Sequence, residues 1–372
     1  MLQLLRVLRR TFAFVLAVSL ASCAPGGPAE RVGTQQSAIQ GGVKDAEHTF
    51  AVAVLTADEV CSGALIAPNL VLTARHCVAP GGGEYVDCAK DTFGPTLPAK
   101  GFSVSTATDV NAAAGGYDVA KIITPKSSAW CGQDIALLVL KDNVPGTEAT
   151  PIRPFPEGPL TDSIDKTSTV AAIGYGITKP GANDEGVRRL LENVPVVCVP
   201  GDDELPCASL GDYGITATEF VAGYGSCTGD SGSSAIAQPS LDTAPVSYGV
   251  LSRASDVGSK CVDAVYTRTD SFAELIVDTA REAAATGGYD VPSWARRPGD
   301  PEPVAPEGAA DAGTEASAVP ASDASPPAPT PDSSASCTLG SAGPGPASQT
   351  PGRAIVAVLA CVLVLRRRRA RV

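Results

Sequence analysis

An all-β region, folded as a barrel or sandwich of many short strands, is what this sequence predicts. Three observations lead there: Gly 38 and Pro 31 in a chain of 372 residues, an aromatic content of 5%, and β-branched runs scattered between turns. From residue 39 to about 295, short apolar runs alternate with Gly, Pro and Asp punctuation. The clearest are 50–55, 63–66, 135–140, 170–173, 194–199 and 246–251. Each is the length of a strand and rich in the side chains that pack well on a pleated surface. The pattern breaks at 271–285, where Phe272, Leu275, Ile276 and Thr279 recur at helical spacing, so a helix is expected to close the region.

The flanks have different compositions. Residues 1–23 begin with Arg6, Arg9 and Arg10, pass through an apolar stretch at 12–20 and end in Leu20-Ala21-Ser22-Cys23. This is a signal peptide, left out of fold reasoning. Its last four residues resemble a bacterial lipobox, in which Cys23 is lipidated; ordinary cleavage near Ala24 is the alternative. Residues 24–38 are a short polar stretch with no periodicity. Residues 296–336 are Pro, Ala, Ser, Asp and Glu with almost nothing to bury, as in a disordered linker. Residues 337–372 hold Cys337, a Gly/Pro/Ser spacer, twelve apolar residues at 354–365 and Arg366-Arg367-Arg368-Arg369. At the helical rise those twelve residues span about 18 Å, short of a bilayer core. The arrangement resembles C-terminal sorting tags of bacterial surface proteins, most closely the myxobacterial type in which the Cys is modified. A short membrane anchor is the other reading.

The formal net charge is −12, and the basic residues gather at the two ends. Residues 39–336 carry 18 basic side chains against 39 acidic ones, which argues against a nucleic-acid partner, because phosphate binding needs a basic face. Eleven cysteines, together with the signal peptide, point to an oxidising compartment.

The chemistry is concentrated in three places. Gly229-Asp230-Ser231-Gly232-Ser233 offers a hydroxyl on a glycine-flanked turn, whose amides suit an oxyanion. Upstream, Thr73-Ala74-Arg75-His76-Cys77 contains one of only two histidines, and a serine near its free pKa needs such a base. Asp134 leads Ile135-Ala136-Leu137-Leu138-Val139-Leu140, an apolar run able to seat a buried carboxylate. Asp109 and Asp118 are rivals without that setting. The other histidine, His48, lies in a polar turn and reads as a surface residue.

In the order His, Asp, Ser, these contexts resemble the chymotrypsin-like (trypsin-like) serine peptidases over about residues 39–290. The resemblance implies two antiparallel six-stranded β-barrels with a C-terminal helix and an active cleft between the barrels. It implies Ser231 as nucleophile, His76 as general base, Asp134 as its orienting acid, and the amides of Gly229 and Ser231 as the oxyanion hole. Ser252, after Gly249-Val250-Leu251, resembles the family's serine that supports the aspartate and opens the substrate strand. Gly225, six residues before Ser231, falls at the pocket floor, with Ala254 and Ala264 on its walls. No acid stands at that floor, so small or medium apolar side chains are expected before the scissile bond; Asp263 would restore a basic preference if it pointed inward.

Ile39-Gln40-Gly41-Gly42 resembles the mature start of family members, in which the freed Ile amine inserts beside the Asp before the nucleophile, here Asp230. Ala38 precedes it, so an activating protease cutting after Ala38 is expected not to be trypsin-like. Arg75 stands where the family usually has Ala, with an exposed side chain expected, and Ser233 and Ser234 replace the Gly-Pro that follows the catalytic turn. Family position pairs Cys61 with Cys77 and Cys227 with Cys261. Cys88, Cys131, Cys198 and Cys207 allow three pairings, with Cys88–Cys131 and Cys198–Cys207 expected. No cofactor or metal site is expected. The partners implied are protein or peptide substrates, the activating protease, and sorting or lipidation machinery acting on Cys23 or Cys337. A non-catalytic surface adhesin or regulator on the same scaffold is the competing class.

Overall fold

A computed structural model describes residues 39–300, apart from 58, 83–85, 114 and 209–213. The expected signal peptide, pro-segment and C-terminal tag, with Cys23 and Cys337, therefore lie outside the described residues. Among the described residues, thirteen strands, one α-helix and several short 3-10 helices make up the regular structure.

The first barrel is closed in the order β2-β3-β4-β7-β6-β5. Its strands are β2 (Ala51–Leu55), β3 (Val60–Ala67), β4 (Leu70–Thr73), β5 (Ser103–Ser105), β6 (Tyr117–Ile123) and β7 (Ala136–Leu140). The second closes through β8 (Thr169–Gly174), β9 (Arg189–Cys198), β10 (Glu219–Tyr224), β13 (Lys260–Arg268), β12 (Ser247–Val257) and β11 (Ser234–Ala237), with β8 also pairing β9. All ladders are antiparallel. The short β1 (Val43–Lys44) adds to β9, so the chain enters the domain on the second barrel before building the first. Two closed six-stranded barrels and a C-terminal helix are thus the observed architecture, and closure leaves few free strand edges.

Strands 50–55 and 135–140 are apolar throughout because both barrel faces bury them: β7 is buried at all five positions. The strands without a clean apolar run, β6 and β13, carry polar residues among their apolar ones. β12 runs six residues beyond the expected 246–251. Ser255, Asp256 and Val257 pair with Val262, Cys261 and Lys260 across a turn at Gly258. The segment 253–263 is therefore a hairpin rather than an irregular loop.

The helix α1 (Ala273–Gly287) starts and ends two residues later than expected. It buries Ile276, Thr279, Ala280, Ala283 and Ala284, while Phe272 and Leu275 are only partly covered. Small side chains win the contact face because they let the helix approach the first barrel closely. There Asn69 Nδ2 donates to the Ala283 carbonyl at 3.2 Å. Gly288, at φ +68, supplies the left-handed cap that stops the helix. The described chain continues to Asp300, whose carboxylate pairs with Arg281 on α1, so residues 296–300 pack on the domain instead of opening the linker.

Candidate active site

The turn carrying Ser231 joins β10 to β11 and is gripped from both barrels. Ser62 on β3 donates its amide to the Ser231 carbonyl at 2.7 Å and its hydroxyl to the Gly229 carbonyl at 2.9 Å. The same hydroxyl accepts from the Tyr175 amide at 2.9 Å. Asp230 is fully buried and accepts from the amides of Gly176 at 2.8 Å and Cys227 at 2.9 Å. With the Gly229 carbonyl held by Ser62, the amides of Gly229 and Ser231 donate no hydrogen bond among the described residues. Two neighbouring uncommitted N–H groups are what a developing oxyanion needs.

Gly229 sits at φ +89 and Gly232 at φ +84, conformations that side-chain-bearing residues resist. A β-carbon at Gly232 would also collide with Thr73 Oγ1 and the Ser62 carbonyl. Gly232→Ala is expected to destabilise the domain by about 3 kcal/mol or more, read as a lower urea midpoint at unchanged slope.

His76 follows β4, and its imidazole keeps 19% exposure. Its amide donates to Asp134 Oδ1 at 2.9 Å and its Nδ1 lies 2.7 Å from Oδ2. Ser252 Oγ donates to the same Oδ2 at 2.7 Å. Asp134 has no exposed surface, yet its pKa is lowered: burial alone would raise it, and the charge and hydrogen bond of His76, with Ser252 and the His76 amide, outweigh burial. His76 mirrors this. Burial pulls its pKa down, but the charge and hydrogen bond of Asp134, with a smaller contribution from Glu59, leave it raised. An ionised Asp134 fixes the proton on Nδ1 and leaves Nε2 as the free acceptor. No hydrogen bond joins Ser231 Oγ to Nε2 among the described residues; in unliganded sites such contacts are long and tighten with substrate. Of the rival acids, Asp118 pairs with Lys141 on the surface, and Asp109 caps the turn at Asn111.

Two sequence expectations are corrected here. Arg75 is not exposed but 6% accessible, donating to the carbonyls of Pro125 and Ser127 and lying 4.6 Å above the Phe93 ring. A long guanidinium next to His76 had room to fold inward because loop carbonyls were there to receive it. His48 is likewise no free surface residue. Its ring is 11% exposed between Asp45 at 3.1 Å and Asp242 at 3.4 Å.

Around the proposed pocket, Gly225 adopts φ +108, and a β-carbon there would run into Leu191 Cδ2. Ser226, beside it, is buried and shares a 3.0 Å hydrogen bond with Tyr266. Ala264 is buried in the second barrel's core, while Ala254 is exposed on β12. Asp263 is half-buried at φ +50. Ile39 has no exposed surface, and Gln40 pins its segment to the pocket by donating its amide to the Gly225 carbonyl at 2.7 Å. Disulfides join Cys61–Cys77, Cys88–Cys131, Cys198–Cys207 and Cys227–Cys261. Cys61, His76 and Cys77 offer ligand atoms within 4.8 Å of one another, but both sulfurs are committed to the disulfide and present no thiolate.

Sequence reasoning missed three contributors. Trp130 stacks on His76 with ring centroids 5.9 Å apart. Ser62 carries no local signal, since its partners are remote in sequence. Glu219, fully buried, was signalled in the same way as Asp134: an acid opening an apolar run, here Phe220-Val221-Ala222.

Comparison with known proteins agrees with this geometry. The trypsin family model matches residues 39–276. A trypsin of Saccharopolyspora erythraea is 25% identical over 246 residues, covering 64% of this chain and 95% of its own length. An ovochymase of Halocynthia roretzi is 23% identical over 246 residues, covering 62% of this chain but only 14% of its own length.

Proposed function

This chain belongs to the trypsin family of serine peptidases, and from that membership we propose that it is an exported endopeptidase acting after small to medium apolar residues. The observation that carries the chemistry is the relay Ser252–Asp134–His76, with both contacts at 2.7 Å, beside a turn whose two amides are uncommitted.

In the proposed reaction Ser231 Oγ attacks the scissile carbonyl while Nε2 of His76 takes its proton. The new C–O bond pushes the carbonyl electrons onto oxygen, and the Gly229 and Ser231 amides donate hydrogen bonds to the resulting oxyanion. Asp134 stays ionised and stabilises the imidazolium. Nε2 then gives the proton to the leaving amine as the C–N bond breaks, and the acyl-enzyme remains. Water attacks the acyl carbon while losing a proton to the same Nε2, and that proton passes to Ser231 Oγ as the acyl C–O bond breaks and the acid leaves. No step calls on a cofactor.

Specificity follows from the pocket. Gly225 places no charge at the floor, and the methyl groups of Ala254 and Ala264 stand where the family usually has none. Four disulfides suit an oxidising compartment, and the signal peptide supports export. We also assign 24–38 as a pro-segment removed by a protease cutting after Ala38, and 337–372 as a tail handled by sorting or lipidation machinery at Cys337. Cys23 is the alternative lipid site.

The test is a chain beginning at Ile39, offered a fluorophosphonate probe and peptides with Ala, Leu or Arg before the scissile bond. Labelling that disappears in Ser231→Ala, with Ala or Leu peptides preferred, is the expected result. An Arg preference would overturn the apolar pocket. A folded but unlabelled chain would leave the non-catalytic scaffold in its place.

A further inference from the structure

Both supports of Asp134 converge on one carboxylate, that of Glu219, and we propose that Glu219 is a positioning residue for His76. The inference rests on the peptidase reading above for its meaning, though not for its geometry.

Glu219 opens β10 and has no exposed surface. Its Oε1 accepts from the Gly132 amide at 2.9 Å and from Arg253 Nη1 at 2.5 Å. Its Oε2 accepts from the Thr216 amide at 2.9 Å, from Thr216 Oγ1 at 3.0 Å and from Arg253 Nη2 at 3.3 Å. Gly132 lies two residues before Asp134, in the first barrel's loop. Arg253 directly follows Ser252, whose hydroxyl holds Asp134 from the second barrel. One side chain therefore ties the loop bearing the acid to the strand that braces it.

The grip on Gly132 is built from more than the ion pair. Thr218 Oγ1 donates to the Gly132 carbonyl at 2.8 Å, so the amide and the carbonyl of this residue are both held by the 216–219 segment. Gly132 adopts φ +72, and a β-carbon there would strike the Thr216 and Thr218 hydroxyls. The same turn is closed by the Gln133 amide on the Trp130 carbonyl at 3.3 Å, and it carries the Trp130 ring stacked against His76. Displacing Gly132 would move two of the groups that orient the imidazole, the Trp130 ring and the Asp134 carboxylate.

A buried ion pair is weak evidence for stability, because desolvation consumes most of its attraction. Apolar packing would serve stability equally well. It would not tie three backbone segments into one geometry, and that is the task this carboxylate performs.

His76 titration reads the effect directly. The chain has two histidines, so their NMR titrations in the full chain are resolvable, with His48→Gln for assignment. The charged groups acting on His76 are Asp134 from the loop before β7 and Glu59 from the segment before β3; Arg75 acts on Asp134. Glu219→Gln keeps one acceptor oxygen but puts an amide NH2 against Arg253. It is expected to lower the His76 pKa by about half a unit to one unit, because Asp134 would no longer be held against Nδ1. Turnover of an apolar peptide should fall about tenfold in kcat with KM within twofold.

Asp300→Asn, which breaks the Arg281–Asp300 pair on α1, is the stability control: a lowered melting temperature with His76 unmoved. Thr218→Val gives a milder perturbation should Glu219→Gln fail to fold, with a smaller downward shift expected. A His76 titration unchanged in both Glu219→Gln and Thr218→Val, or moved equally by Asp300→Asn, would overturn the proposal. If the wild-type chain labels with no probe and turns over no peptide, the peptidase reading falls, while the placement of His76 by Glu219 is still decided by the titration.

Discussion

Ser231→Ala is expected to lower kcat about 10^6-fold and Asp134→Asn about 10^4-fold, with the double variant no worse than Ser231→Ala alone. The reason for the large second effect is a tautomer. Asp134 receives the His76 amide, Nδ1 and the Ser252 hydroxyl, and offers only acceptors in return. An amide at 134 presents an NH2 toward the imidazole, so Nδ1 becomes the acceptor and the proton moves to Nε2. The nitrogen facing substrate can then take no proton from Ser231. The two losses do not add, because both disable one proton transfer.

The pH profile carries a sign that checks the same residue. Only neutral His76 is a base, and Asp134 raises its pKa against the pull of burial. The acid limb of kcat/KM should therefore lie above the free histidine value of about 6.5. Removing the charge in Asp134→Asn shifts that limb to lower pH. Steady-state rates from pH 5 to 9, with circular dichroism to verify the fold, provide the measurement. An acid limb that stays in place would dismiss Asp134 as the partner.

Cutting the chain between Ala38 and Ile39 is expected to change how stability depends on pH. In the uncut chain Asp230 is completely buried and its pKa is raised to about 7; burial is the cause, offset only in part by the Cys227 and Gly176 amides and the Arg189 charge. Between its unfolded value near 4 and its folded value, the native state binds the extra proton. Stability is therefore full below about pH 4 and is lost as pH rises through 7, by roughly 4 kcal/mol. A free Ile39 ammonium beside Asp230 would reverse that sign by favouring the carboxylate.

Ile39 itself is a β-branched residue held at φ +42, a costly conformation that exists only while Ala38 is attached. Cleavage abolishes the φ angle and the strain with it. Urea midpoints should thus fall more steeply between pH 5 and pH 7.5 for the uncut chain than for the chain beginning at Ile39, because the raised pKa of His76 contributes the same fall to both. Parallel behaviour of the two forms, or full activity with Ser37-Ala38 still in place, would remove the zymogen.

Much of this was legible in the residues. The strand-length runs, the apolar stretch after Asp134 and the glycines around Ser231 are contiguous features, and their constraints are local. A turn at φ +89 needs glycine wherever the rest of the chain goes. The helix register was misplaced because alanines carry little periodic signal, although they are what lets α1 pack closely. Arg75 was expected outside because an isolated guanidinium is normally solvated; only the loop carbonyls at 125 and 127 show why it turns inward.

By itself, then, the sequence determined the chemical types and their order: one histidine beside a cysteine, one acid before a buried strand, and one serine on a glycine turn. Which groups meet was decided by the tertiary structure. Asp134 reaches His76 across 58 residues, Glu219 reaches Gly132 across 87, and Ser62 reaches Gly229 across 167. Those contacts depend on strand register and on the closure of two barrels against each other. Backbone preference acts over neighbouring residues, so it can write a turn into the sequence but not the distance between two turns.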